Sequence, residues 1–284
     1  MTNPMLDIGR VRSALRSLDV RPTRAMGQNF LVDGHALAQI VAAGEVSATT
    51  TVVEVGPGLG VLTWELVQRA AHVIAVELDK RLIARLHDEF RHATNLTLVN
   101  NDILRTDIAT LTGPHPYHVI ANLPYAITSP VLRHFLEAVH PPEVMVVLVQ
   151  REVAQRICAL PGDLSVLAHA IQIRAIPELV TIVPPSAFMP APEVHSAVLR
   201  LRRRDVPLVS ATAEPGVMRV IKAGFLHARK QLGNSLASGL ASHQISITRE
   251  AAQAHLIAAG IDPVRRAETV TITEWIALAH QLGY

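Results

Sequence analysis

Thr51-Val52-Val53-Glu54-Val55-Gly56-Pro57-Gly58-Leu59-Gly60, followed by Val61 to Arg69, is the stretch that decides the fold. A short apolar run that stops at a glycine cluster predicts a buried strand over 51–55. Gly56 to Gly60 then make a turn, and Val61 to Arg69 a helix. Downstream the same alternation repeats. Strands are expected over 72–77, 96–99, 117–121 and 143–149, with helices beginning near Asp79 and over 128–139 and 151–159. Upstream, residues 10–20 read as a short amphipathic helix with Val11, Leu15 and Leu18 on one side, and 34–43 as a second helix. Strands alternating with helices for about a hundred residues argue for an α/β fold, a doubly wound, Rossmann-like parallel sheet with right-handed crossovers. Residues 169–183 and 194–202 read as two further strands joined by the proline-rich turn Pro184 to Pro192. After Arg200, Arg202, Arg203 and Arg204 only helical patterns remain, over 214–227, 231–241, 248–259 and 273–282. The expected division is a ligand-binding domain over 1–207, with an N-terminal helical extension, and a small all-helical domain over 208–284.

The 284 residues, 49% hydrophobic and 18% charged, suffice for one full core and a small second one. A net charge of +2 does not by itself point to nucleic acid, so the placement of charge matters more. Arg10, Arg12, Arg16, Arg21 and Arg24 crowd the N-terminal region. Arg200 to Arg204, Arg229 with Lys230, and Arg265 with Arg266 form three later clusters that could together face phosphates. The single cysteine, Cys158, excludes an internal disulfide and fits a reducing cytosol. Val144 to Val149 is too short to cross a bilayer, and the N-terminal region lacks the long apolar core of a signal peptide. A soluble, cytoplasmic monomer is expected. No His-Glu-x-x-His, paired cysteines or carboxylate cluster suggests a metal, and no phosphate-binding loop of the Walker type is present.

Ligands of doubly wound sheets bind at the carboxyl ends of the strands. Gly56 and Gly58 follow the first strand of the sheet, Glu77 ends the second, and Asp102 lies just beyond the third. Glycines let the backbone approach a ligand. A carboxylate at Glu77 is placed to accept from both hydroxyls of a ribose, and one at Asp102 from the exocyclic amine of an adenine. Singly, each has a bland reading: a turn, a solvated strand end, a cap. Jointly they describe an adenosine pocket. A nicotinamide dinucleotide would still fit these three features, although the turn reads G-x-G-x-G and not G-x-G-x-x-G.

Asn122-Leu123-Pro124-Tyr125 stands after the fourth strand. The Asn122 amide oxygen and a backbone carbonyl at Leu123 or Pro124 can accept from one amino group. Pro124 fixes the loop. Tyr125 offers a face on which a base can stack. Such a site holds an amine so that its lone pair attacks a methyl donor, by positioning and electrostatics and without a strong base. The tetrapeptide resembles the Asn-Pro-Pro-Tyr motifs of methyltransferases that act on exocyclic amines.

The chain as a whole resembles the KsgA-type small-subunit ribosomal RNA adenine-N6,N6-dimethyltransferases. Matching segments are 27–31, 54–60, Glu77-Leu78-Asp79, 122–125, 150–154, 184–192 and 225–234. The resemblance implies S-adenosylmethionine as cofactor, bordered by Gln28, Asn29, Leu31, Gly56, Gly58, Glu77, Asp102 and Asn122. It implies small-subunit rRNA in a pre-30S particle as partner, and Phe188 stacked on the target adenine opposite Tyr125; the bland alternative for Phe188 is a loop anchor in the core. Two departures stand out. Ala126-Ile127-Thr128 replaces Asn-Ile-Ser, and the loop Leu160 to Val166 is shorter than is common in the family. The rival readings are a large-subunit rRNA dimethyltransferase of the antibiotic-resistance type, an RNA-binding assembly factor without catalysis, and a dinucleotide oxidoreductase.

Overall fold

The computed structural model describes residues 3–18 and 29–284. In chain order the elements are α1 (Ile8–Ser17), β1 (Phe30–Leu31), α2 (Gly34–Ala43), β2 (Thr51–Val55), α3 (Val61–Val67), β3 (His72–Glu77), α4 (Lys80–Glu89), β4 (Leu96–Asn100), α5 (Ile108–Thr112), β5 (His118–Asn122), α6 (Thr128–Leu136), β6 (Val144–Gln150) and α7 (Arg151–Ile157). There follow α8 (Val166–Gln172), β7 (Ala175–Val183), β8 (Phe188–Met189), β9 (Ser196–Arg203), α9 (Glu214–Phe225), α10 (Leu232–Ser242), α11 (Arg249–Ala258) and α12 (Ile272–Gln281).

β2 is the hub because its valines are buried on both faces: Val52 and Val53 are fully covered and Val55 nearly so. Such a strand must lie inside a sheet with helices on either side. It pairs in parallel with β3 on one side and β5 on the other. The seven strands run β4-β3-β2-β5-β6-β9-β7, a doubly wound sheet as expected from sequence. β9 is antiparallel to β6, in a register that sets Ser196 opposite Gln150 and Arg202 opposite Val144. Aspartates begin several helices: Asp7, Asp33 and Asp79 each accept a first-turn N–H. That satisfies a donor the helix cannot use internally.

The chain divides into two compact units, residues 1–154 with 177–203, and 155–176 with 204–284. Residues 155–176, read from sequence as part of the first domain, therefore group with the C-terminal helices. The cause is packing: Ile173 is fully buried among Val217, Ile221, Leu236, Trp275 and Leu278. Backbone N–H groups of Gly162 and Leu164 both donate to the Glu268 carbonyl, at 2.9 and 3.2 Å. The shortened loop is thus tied down inside the second unit. The expected strand over 169–183 is half wrong for the same reason. Ser165 caps a helix by accepting from the Ala168 N–H, and α8 buries Ala168 and Ile171, three residues apart. Only from Ala175 does the chain become extended. Short apolar runs do not distinguish strand from helix by periodicity.

Within the second unit α9 and α10 touch at Gly239. A Cβ there would overlap the Ala223 carbonyl, which is backbone and cannot rotate away. Gly239→Ala gains about 1 kcal/mol of helix propensity, but forcing the helices apart costs about 1–3 kcal/mol. A net loss of about 1 kcal/mol is expected, read as a fall of a few degrees in the calorimetric transition. A higher transition temperature would show that the contact has slack.

Candidate active site

The parallel strands reverse their order of addition at β2: β3 and β4 lie on one side, β5 and β6 on the other. A crevice therefore opens between the carboxyl ends of β2 and β5. The residues leaving those ends are Gly56 and Leu123, and the last residue of β5 is Asn122. A cavity occupies this crevice. Its walls include Asn29, Leu31, Gly56, Gly58, Glu77, Asn122, Leu123, Pro124 and Tyr125, nine of the residues singled out from sequence.

Each wall has a local cause. Gly56 turns the chain at φ 66°, and a Cβ there would meet nothing within 4 Å. The backbone of the turn thus faces open space at a dihedral that disfavours other residues. Glu77 is held by two backbone donors, Gly58 N–H to Oε2 at 3.2 Å and Asp79 N–H to Oε1 at 3.0 Å. Burial pushes its pKa up, and those N–H groups oppose the rise. The Asn122 side-chain Nδ2 donates to the Asn29 carbonyl at 2.9 Å. That bond uses the donor end of the amide and fixes its plane, while the amide oxygen has no partner among the described residues. Leu123 is anchored by its N–H on the Leu148 carbonyl at 3.3 Å. Tyr125 is braced by a 2.7 Å hydrogen bond between its hydroxyl and that of Ser196.

Sequence reasoning missed part of the wall. Met5 and Val11 come from the N-terminal segment, and Phe30 and Leu62 from beside the expected residues. Nothing in the pattern marks Met5. Glu54 also lines the cavity, 1% exposed, and a charged residue inside an apolar strand was the signal available for it. Two carboxyl side chains and no lysine, arginine or histidine line the cavity among the described residues. A backbone turn open to ligand, two acids, two asparagines and otherwise mostly apolar walls suit a nucleoside that carries positive charge.

Two of the expected site residues do not line the cavity. Asp102 is not part of the cavity wall: its Oδ1 caps the following turn by accepting from Leu104 N–H at 3.0 Å. Its Oδ2 lies 3.6 Å from Arg105 Nε. It remains close in the fold, since Asn101 N–H donates to the Glu77 carbonyl at 3.1 Å. Phe188 is likewise absent from the wall. Its side chain is 5% exposed and packs in the core with Leu31, Leu37 and Val183. β8, which carries it, pairs with β1 so that Phe188 sits opposite Leu31. The ring packs as an anchor in this arrangement. Gln28, with Arg21 and Arg24, lies outside the described residues.

The basic run on β9 is also not the free surface that its sequence suggests. Arg200 pairs with Glu45 at 2.9 Å and with Glu178, Arg202 pairs with Glu45, and Arg203 lies 3.7 Å from Glu143. No described helix is long and apolar enough to cross a membrane, and no described cluster of three or more acids, histidines and cysteines could hold a metal.

Against known proteins, the chain matches in three ways. Residues 21–280 match the family described as ribosomal RNA adenine dimethylase. A protein of Dehalococcoides mccartyi named ribosomal RNA small subunit methyltransferase A is 41% identical over 269 residues, 94% of this chain and 91% of that one. The crystal structure of the 23S rRNA methyltransferase ErmE superposes with a TM-score of 0.71 at 30% identity, covering 90% of this chain and all of the other. A dimethyladenosine transferase from Plasmodium falciparum shares the fold, with a TM-score of 0.75 at 21% identity over 88% of this chain and 95% of that one. Since the matched region contains both the glycine turn and Asn122 to Tyr125, and spans nearly the whole chain, the protein is a member of the ribosomal RNA adenine dimethylase family.

Proposed function

We propose that this enzyme transfers methyl groups from S-adenosylmethionine to N6 of adenosines near the 3′ end of small-subunit rRNA. Two groups go to each base, on two adjacent adenosines, within a pre-30S particle in the cytoplasm. The observation that carries the chemistry is the Asn122 amide, locked by its donor end to Asn29 with its acceptor end unpartnered. The cofactor, when bound, supplies a methyl group made electrophilic by its sulfonium. Glu77 would offer its remaining lone pairs to the ribose hydroxyls, and the turn at Gly56 and Gly58 would hold the aminoacyl end. Asp102 would accept from the cofactor's adenine amine with Oδ2, turning from Arg105. Asn122 Oδ1 and a carbonyl at Leu123 or Pro124 accept the two N–H bonds of the target amine, and the Tyr125 ring supports the base. The proton released on methylation passes to solvent, since the amine becomes acidic only as the new bond forms. The protein works as a monomer.

Small-subunit particles lacking the modification, incubated with the enzyme and mapped by mass, should gain dimethyladenosine at adjacent positions. Methylation of large-subunit RNA in its place would favour the second reading, for which the 30% identity to ErmE speaks.

Glu77→Ala should weaken S-adenosylmethionine binding by about 1.5–3 kcal/mol, the value of hydrogen bonds to a charged acceptor. Calorimetry that shows unchanged affinity in a folded variant would remove Glu77 from the site.

RNA affinity is assigned to the second unit. Arg229 and Lys230 lie in the turn after α9, exposed, and their side chains make no hydrogen bond or ion pair among the described residues. A β-bridge between Gln231 and Arg266 draws that turn against Arg265 and Arg266. Arg265 is largely committed to Glu274, at 2.5 Å, so the turn supplies most of the free charge. Charge reversal of both Arg229 and Lys230 should weaken particle binding and make its salt slope shallower by about 1.5, at roughly 0.7–0.9 per lost phosphate contact. Cofactor affinity should be unchanged. A slope equal to wild type would place the RNA contact elsewhere. The unit cannot be removed by ending the chain near residue 205, because residues 155–176 would then lose the helices they pack against.

A further inference from the structure

The wall of the cavity is unevenly supported. Glu77 and Asn122 end strands inside the sheet. Tyr125 instead begins one tight helical turn, Tyr125–Ile127, none of whose residues is buried. Its ring meets no other aromatic ring among the described residues. Among those residues the side chain has one polar tether, the 2.7 Å hydrogen bond between its hydroxyl and that of Ser196. Ser196 lies 71 residues further along the chain and is fully buried. It begins β9, opposite Gln150 on β6. The strand is pinned just before it, where the His195 carbonyl accepts from Arg151 N–H at 3.0 Å. A half-buried phenol can be satisfied by water. Here its partner is a hydroxyl fixed in the sheet, so the bond ties the least anchored part of the wall to the most rigid part of the fold.

We propose that Ser196 is a positioning residue for the second methyl transfer: by holding the Tyr125 ring it keeps a once-methylated adenine in place. The inference rests on the reading of this cavity as the methyl-transfer site. In each transfer the N6 lone pair forms the new N–C bond, the S–C bond to the methyl breaks with its electron pair left on sulfur, and one N–H proton leaves to solvent. The unmodified amine offers two N–H donors, one for Asn122 Oδ1 and one for a carbonyl at Leu123 or Pro124. After the first transfer one donor remains. One of the two hydrogen bonds that orient the amine is therefore gone before the second transfer begins. The stacked ring then carries a larger share of the hold on the base. A ring free to tilt should be felt little in the first transfer and strongly in the second, where orientation depends on it.

The test uses the full chain in excess over small-subunit particles that lack the modification, at saturating S-adenosylmethionine. Adenosine, N6-methyladenosine and N6,N6-dimethyladenosine are followed over time by mass. Ser196→Ala should slow the second transfer about tenfold and the first by less than about threefold, the scale of one lost hydrogen bond, so that N6-methyladenosine accumulates. Tyr125→Phe keeps the ring and removes its hydroxyl, and should shift the ratio of the two rates by the same factor. The double variant should be no worse than either, because each single change breaks the same bond. A general loss of folding or of active enzyme slows both transfers alike and leaves the ratio untouched. A wild-type ratio in Tyr125→Phe, or a double variant whose shift is the product of the two single shifts, overturns the proposal and leaves the reading of the site standing. Should Ser196→Ala not fold, the ratio in Tyr125→Phe decides. If wild type itself forms no methylated adenosine, the reading of the site has failed, and the proposal with it.

Discussion

Asn122→Ala should slow methyl transfer on the order of a hundredfold, or ~2.7 kcal/mol in barrier, the scale of removing one preorganised polar group from a reacting centre. Cofactor affinity should stay within about threefold, or ~0.65 kcal/mol. The expectation comes from the two ends of one amide. Nδ2 spends itself on the Asn29 carbonyl at 2.9 Å, so a flipped side chain would set its oxygen against that carbonyl. Oδ1 is then aimed for the whole catalytic cycle, with no reorganisation needed when the amine arrives. Alanine removes both ends. Asn122→Asp keeps an oxygen but sets a carboxylate beside the Asn29 carbonyl, so it should also be slow, and its ring of contacts should loosen. Single-turnover rates at saturating cofactor separate chemistry from binding. An alanine variant within twofold of wild type would show that the amine is held by other groups.

The parts of the molecule that were legible in the sequence are those set by local pattern. The run 51–55, its glycine turn and the helix after it form an apolar segment, a break and a second segment, and they fold as such. Asn122 and Glu77 were found because strand ends are where this architecture places ligands, and the chain marks strand ends with polar residues. What was not legible depends on distant partners. Arg200, Arg202 and Arg203 look like a basic patch until Glu45, Glu143 and Glu178 are brought to them. The pairing of β1 with β8 involves two residues on each side, too few for a periodic signal, yet it is what buries Phe188. The sequence of α8 is apolar enough to be either strand or helix, and the choice falls to the Ser165 cap and to the second unit's core. Asp102 was placed correctly along the chain, and of its two sequence readings, adenine acceptor and cap, the structure displays the cap; its ion pair with Arg105 depends on the turn geometry.

Glu54→Gln should make the ligand-free protein more stable at pH 8.5, by about 4–5 kcal/mol, and by less than about 1 kcal/mol at pH 5. The folded carboxyl has its pKa at about 8 against an ordinary 4.5, so between those values the folded chain holds a proton that the unfolded chain has released. Folding therefore loses free energy as pH rises through this window, at about 1.4 kcal/mol per pH unit for one group. The loss is absent below about 4.5 and complete above about 8. This is the reverse of the usual salt-bridged carboxylate, whose stabilisation is lost on acidification. Glu77, also raised by burial, adds a slope of the same sign that the Glu54 variant retains. The difference between the two proteins thus isolates Glu54, since glutamine preserves shape and an acceptor for Thr63 but cannot ionise. Urea unfolding at both pH values, followed by Trp64 on α3 in a Trp275→Phe background, reports the unit that contains the cavity. Parallel pH profiles for variant and parent would mean that Glu54 is already ionised in the folded chain, stabilised by a cation outside the described residues. A converging pair of profiles, with the parent weaker only at high pH, would mean that the folded chain carries an acid in its core with no compensating charge among the described residues.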